Sequence, residues 1–223
     1  MVKAGNAVYR GPSDLPDIIP VFPLAGALLL PGGRLPLNIF EPRYVAMVDH
    51  ALAGPRLIGV IQPRLSALNP GAASGQPALC DVGCVGRLVS MTESGDGRYF
   101  ISLQGISRFR LLEARQVDTA FRQCRIAPYE ADFETDGTAS DVDRVRLMRV
   151  LRAYLEKNDL DVDWQSFLRA ENSALVNGLS MMAPYGSVEK QALLEAPDVK
   201  ARAETLIAIT ELMLAGGSDK TLQ

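Results

Sequence analysis

The chain of 223 residues is 48% hydrophobic and 22% charged, with 19 glycines, 14 prolines and a net charge of -3. That composition is ordinary for a globular protein and excludes collagen-like, coiled-coil and wholly disordered classes. The charge is unevenly spread, +3 over residues 1–130 and -6 over residues 131–223, so the two halves differ in kind.

Residues 1–17 are polar and read as a flexible lead, without the apolar segment of a secretory signal, so a cytoplasmic location is expected. Residues 18–24 (IIPVFPL) are apolar but carry Pro20 and Pro23. Proline cannot donate to a ladder, so an edge strand is expected there, and residues 34–40 (RLPLNIF) repeat that character around Pro36. Pro42 then opens a helix whose Tyr44, Met47, Val48, Ala51 and Leu52 recur at helical spacing, with Gly54 as its stop. Residues 57–61 read as a short buried strand and residues 63–78, rich in Pro, Gly, Ala and Ser, as a loop. Residues 82–92 and 99–112 flank the turn pair Asp96-Gly97 and predict a long hairpin, with Gly105 where a strand bends or bulges. One more strand, over residues 120–127, ends at Pro128, so residues 18–131 read as a mostly antiparallel β domain with one short helix.

The pattern changes through residues 132–140, an acidic and polar linker. Ser140 followed by Asp143 suggests an N-cap, after which Val142, Val145, Met148, Leu151 and Leu155 recur at helical spacing. Further helices are predicted over residues 173–182, over 188–195 behind Ser187, and over 199–214 behind Asp198. The fold class is therefore α+β, with a helical bundle over residues 141–216 and a tail over 217–223. The longest nearly uncharged stretch, residues 21–33, is too short and too broken by Pro and Gly to cross a bilayer.

Catalytic signatures are missing. A phosphate-cradling loop needs Gly-Lys at its end, a dipeptide that never occurs; Gly217-Ser218-Asp219-Lys220-Thr221 imitates only the terminus of such a motif. There is no G-x-S-x-G elbow, and the only histidine, His50, lies on the polar side of the short helix. Cys80-x3-Cys84 stands alone, with Cys124 forty residues away, so the three thiols read as reduced and non-ligating. Asp159, Asp161 and Asp163 alternate like a calcium loop, but Trp164 replaces its required glycine. No catalytic residue, cofactor or metal is expected.

Several motifs in fixed order do carry information. IPVFPL (19–24), LPG (30–32), LPL (35–37), IFEPRY (39–44), RLIGVIQP (56–63), VGCVGRL (82–88) and Gly105-Ile106-Ser107-Arg108-Phe109-Arg110 resemble, in order and interval, the N-terminal substrate-recognition domain of the ATP-dependent protease Lon. The segment ALLEAPDVKARAETLIAITELM (192–213) is similar to the end of that domain, so the resemblance runs over residues 17–215. It implies a pseudo-β-barrel of the PUA-like type followed by a helical bundle. In Lon the chain continues into an AAA+ ATPase and a Ser-Lys protease; this sequence ends at Gln223, so neither activity is expected of it.

The resemblance therefore implies a non-catalytic module that binds unfolded or tagged polypeptides, an adaptor or holdase in proteolysis with a separate protease as a further partner. Leu28, Leu29, Leu30, Phe40 and Tyr44 supply apolar side chains which, where exposed, form a patch for extended polypeptide and otherwise fill the barrel core. Arg108 and Arg110 share a face on period-two alternation and are candidate contacts for an anionic partner; the other reading is a solvated outer face. The alternative function is RNA binding, because PUA-like folds elsewhere bind RNA and Arg108, Arg110, Arg115, Arg122 and Arg125 cluster near the last strands. An excess of +3 in that half disfavours nucleic acid.

Overall fold

The computed structural model describes residues 1–64, 77–134, 137–159 and 164–216. Most of the loop expected at 63–78, the acidic positions Asp161 and Asp163, and the tail 217–223 lie outside the described residues. Period-two patterning in the first half yields β1 (Val2–Ala4), β2 (Ala7–Tyr9), β3 (Ile18–Pro23), β4 (Arg34–Ile39), β5 (Leu57–Pro63), β6 (Leu79–Glu93), β7 (Tyr99–Arg115) and β8 (Arg122–Pro128). Helix α1 (Pro42–Ala53) interrupts them, and α2 (Arg144–Lys157), α3 (Trp164–Arg169), α4 (Asn172–Met182), α5 (Ser187–Glu195) and α6 (Val199–Gly216) follow. The protein is thus a mixed α/β fold.

β1 and β2 pair as a small hairpin, and the other strands form one sheet in the order β4-β7-β6-β5-β3-β8, with β8 returning to pair with β7. Five strands therefore follow one another around a circuit of pairings, and β4 lies outside it, paired with β7 alone among the described residues. The β3–β5 pair is parallel and the rest are antiparallel.

β3 corrects the edge expectation, since it has partners on both sides. The prolines fit because strand residues address alternate neighbours. The Asp17 carbonyl accepts from the Ile126 N–H and the Leu24 N–H donates to the Ile61 carbonyl, so odd positions face β8 and even positions face β5. Pro20 faces β5 before that ladder begins at Val21, and Pro23 faces β8 beyond its last partner, also Val21. Neither missing donor is needed. The edge reading holds instead for Pro36, in β4.

The lead also departs from expectation: it contains the β1–β2 hairpin, and Ala4, Tyr9 and Leu15 are buried in the core. The Asp96-Gly97 turn forms as predicted, with Gly97 at φ 80° and the Ser94 N–H donating to the Arg98 carbonyl. Gly105 lies at an irregularity, where Val85 pairs with Ser107 and Gly86 with Gly105, leaving Ile106 unopposed. In the helical half Asp143, not Ser140, caps α2, its carboxylate accepting from the Arg146 N–H at 2.9 Å, while Ser140 bonds back to the Gly137 carbonyl. Helix α3 is too short to show a periodicity and was not expected.

Two apolar clusters organise the interior. One lies within the circuit of strands, around Ile19, Val21, Ile61, Ile106 and Phe109. The larger is continuous across both halves, joining Phe22, Leu29, Met47 and Leu103 to Leu147, Val176, Leu193 and Leu206.

Candidate functional site

The five apolar candidates separate sharply. Leu28, Leu29 and Leu30 are buried in the larger core, so the expectation that they offer a surface patch is corrected. The cause is a close backbone approach. The Gly32 N–H donates to the Gly105 carbonyl at 3.0 Å and the Gly105 N–H to the Gly33 carbonyl at 2.9 Å. A Cβ at Gly105 would stand 2.8 Å from the Leu30 carbonyl carbon, so only glycine lets the leucine segment sink this far. Tyr44 is 8% exposed, its ring 4.4 Å from Phe22 and under the Arg43 guanidinium at 4.6 Å. Burial pushes its phenol up, against the pull of Arg43.

Phe40 alone of the five presents its side chain to solvent, at 61% exposure. It follows β4, whose residues alternate: Arg34, Pro36 and Asn38 are exposed, while Leu35, Leu37 and Ile39 turn inward. Asn38 pairs with Phe100, which is 52% exposed on the same face. Phe100 was missed, although Phe100, Ser102 and Gln104 alternate with Ile101 and Leu103 in the sequence and so belong to an outward face.

The arginine candidates separate too. Both guanidinium groups approach the Tyr129 ring, at 5.1 Å for Arg108 and 6.0 Å for Arg110, so the shared face is real. Arg110 is exposed, whereas the side chains of Arg108 and Asp132 are only 4% and 8% exposed and pair at 2.7 Å. Arg108 Nε also donates to Asp132, Nη1 to the carbonyls of Leu194 and Ala196, and Nη2 to that of Pro197 at 3.0 Å. Every donor of the guanidinium is committed, which corrects its role from anion contact to internal clasp. Those carbonyls end α5, where a helix leaves orphan acceptors and the negative end of its dipole. Arg202 completes the arrangement, donating to the Leu193 carbonyl at 2.9 Å and to Asn177 at 2.9 Å.

A second polar junction joins the halves at Gln62, which is buried in β5. It accepts from the Gly26 N–H and donates to the Ser187 carbonyl and to Gln191, which in turn donates to the Val82 carbonyl. A cleft of about 780 Å³ opens over the first clasp, between Pro31, Gly33, Asn177 and Asp198. A smaller apolar cavity of about 200 Å³ lies among the helices, lined by Leu151, Tyr154, Phe167, Met182 and Tyr185.

Among the described residues no three His, Cys, Asp or Glu side chains are placed to hold a metal ion. Cys84 and Cys124 are fully buried, burial pushing both thiols up. His50 is exposed on α1, its ring 5.2 Å from Phe121. No helix among the described residues is long and apolar enough to cross a membrane.

Residues 18–211 match the family model described as the ATP-dependent protease La (LON) substrate-binding domain. The chain belongs to that family. It is 28% identical over 207 residues to Lon protease 2 of Myxococcus xanthus, covering 88% of this chain and 24% of that protein. It is 28% identical over 216 residues to the Lon protease of Anaeromyxobacter dehalogenans, covering 92% and 24%. The chain therefore spans about a quarter of the length of these relatives. The fold is similar to the Lon N-terminal domain protein from Xanthomonas campestris, with a TM-score of 0.60 at 22% identity over 86% of this chain and 97% of that one. It is also similar to the N-terminal domain of Mycobacterium avium complex Lon protease, with a TM-score of 0.64 at 18% identity over 87% and 98%.

Proposed function

We propose that this chain is a non-catalytic recognition module for unfolded or tagged polypeptides, acting as an adaptor or holdase that brings them to a separate protease in the cytoplasm. The observation that carries this reading is the match of residues 18–211 to a substrate-binding domain. The relatives' ATPase and protease activities are not part of the proposal. The circuit of pairings through β7, β6, β5, β3 and β8 supports a PUA-like pseudo-barrel over residues 18–131, with a helical bundle over 141–216 packed against it.

RNA binding is not favoured. The arginine cluster that suggested it is dispersed: Arg108 is clasped, Arg122 donates to the Pro77 carbonyl, and Arg125 lies 3.6 Å from Glu113. The test is fluorescence anisotropy of a labelled, permanently unfolded protein such as reduced and carboxymethylated lactalbumin, with a mixed-sequence RNA oligonucleotide in parallel. Saturable binding of the unfolded protein, competed by its unlabelled form but not by the native one, is expected. Absence of such binding, or RNA binding that weakens steeply with salt, would overturn the reading.

A further inference from the structure

The side of β4 that has no strand partner among the described residues is specified by one peptide plane. The Gly105 N–H donates to the Gly33 carbonyl, so that carbonyl points at β7. Across the same planar trans peptide, the N–H of Arg34 points the opposite way, out of the sheet. Alternation then turns the backbone groups of Arg34, Pro36 and Asn38 outward and those of Leu35, Leu37 and Ile39 toward β7. β4 is paired with β7 over its whole length, from Arg34↔Gln104 to Ile39↔Tyr99, so this edge is supported throughout. On its outward side it offers carbonyls at Arg34, Pro36 and Asn38 but N–H donors only at Arg34 and Asn38.

We infer that this edge is where the polypeptide docks, adding as a strand beside β4 with alternate side chains against Phe40 and Phe100. The inference rests on the polypeptide-recognition reading above and names the surface and the conformation it selects. Pro36 decides between the possible occupants. A two-fold dimer through this edge runs antiparallel, and the register that uses the whole strand sets Pro36 against Pro36. Two carbonyls then face each other with no donor between them. Shifting the register by two residues still spends one pairing on each proline and shortens the ladder. A foreign strand needs only an ordinary residue opposite Pro36, whose N–H satisfies the proline carbonyl. The edge is thus blunted against a second copy and open to an unrelated extended segment. Phe100 lies opposite Asn38 on its face and Phe40 follows directly on the end of the strand, both more than half exposed, so apolar residues at alternate positions of the added strand meet them.

The probe is a labelled ten-residue peptide of alternating Val and Thr, with two derivatives N-methylated at alternate amides, one set on each edge. N-methylation on the edge that faces β4 is expected to abolish binding, and methylation on the other edge to leave it unchanged. A protein merely attracted to apolar side chains would not distinguish them. Asn38→Pro removes an outward donor without touching the β7 ladder and is expected to raise Kd about three- to tenfold, and Phe40→Ala to raise it similarly, with circular dichroism unchanged. Equal binding of both methylated peptides, or unaltered Kd in both variants, overturns the edge assignment while binding of unfolded lactalbumin keeps the recognition reading. Failure of the wild-type protein to bind either peptide or lactalbumin overturns both. Sedimentation equilibrium showing a dimer that Asn38→Pro dissociates makes a second copy the occupant and overturns the assignment.

Discussion

Replacing Arg108 by alanine tests how the two halves are held together. The change strips a buried carboxylate, Asp132, of its cation and removes donors from the carbonyls of Leu194, Ala196 and Pro197. Some satisfaction survives: Asp132 still accepts from the Arg108 backbone N–H at 2.7 Å, and Ala196 from Arg202 at 3.3 Å. Breaking a buried ion pair by deleting one partner costs about 3–5 kcal/mol, and each stranded carbonyl adds about 1 kcal/mol where water does not reach it. We expect a loss of about 4–5 kcal/mol, a large share of the roughly 5–15 kcal/mol that stabilises a domain. With a urea m-value of about 2–3 kcal/mol/M, the midpoint should fall by about 1.3–2.5 M. Arg108→Lys keeps the charge but not the planar fork and should recover only part of that. Alanine at both Arg108 and Asp132 should cost less than the sum of the single changes, by about 2 kcal/mol or more. Hydrogen exchange should show the loss first as weakened protection at the end of α5. A midpoint within about 0.4 M of wild type for Arg108→Ala, or full recovery with lysine, would refute the clasp.

Other consequences can be checked together. Gly105→Ala drives a methyl into the Leu30 carbonyl and should cost about 2–4 kcal/mol by strain and lost bonds to the Gly32–Gly33 segment, read as a lower urea midpoint. Gln62→Ala strands the Gly26 N–H and the Ser187 carbonyl and should cost about 1–3 kcal/mol, with Gln62→Glu no better because a carboxylate only accepts and so can donate to neither Ser187 nor Gln191. In the native protein a maleimide should modify Cys80, which is half-buried, while Cys84 and Cys124 react only in denaturant; mass spectrometry showing early labelling of Cys84 would contradict its placement.

Local chemistry was legible in the sequence and long-range chemistry was not. The alternation of residues 99–112, the Asp96-Gly97 turn, and Pro42 and Gly54 bracketing a helix each depend on neighbours within a few positions, and each appears in the structure. The centrality of β3 was hidden because a proline in a strand matters only through the ladder it faces, and β3 passes from β8 to β5 at Val21. The burial of Leu28 to Leu30 was hidden for a like reason, since the glycine that admits them is more than seventy positions away. Phe40 was named only as one of five apolar side chains, and it is the one the fold leaves outside, whereas Arg108 looked like a surface charge until Asp132 and the end of α5 closed on it. Period-two counting identifies a face; it does not say whether another element covers that face.

The order of synthesis gives the β3 prolines a further meaning. Val21 has its antiparallel partner at Arg122, about a hundred residues later in the chain. At roughly 5–20 residues per second of translation, β3 exists for about 5–20 s before β8 can cover it. An apolar strand waiting that long beside a ribosome is a template for pairing with whatever passes. Pro20 and Pro23 leave gaps in the donor row on each side of it, at positions where the finished sheet never asks for a bond. The same prolines that cost the native state nothing thus protect the nascent one.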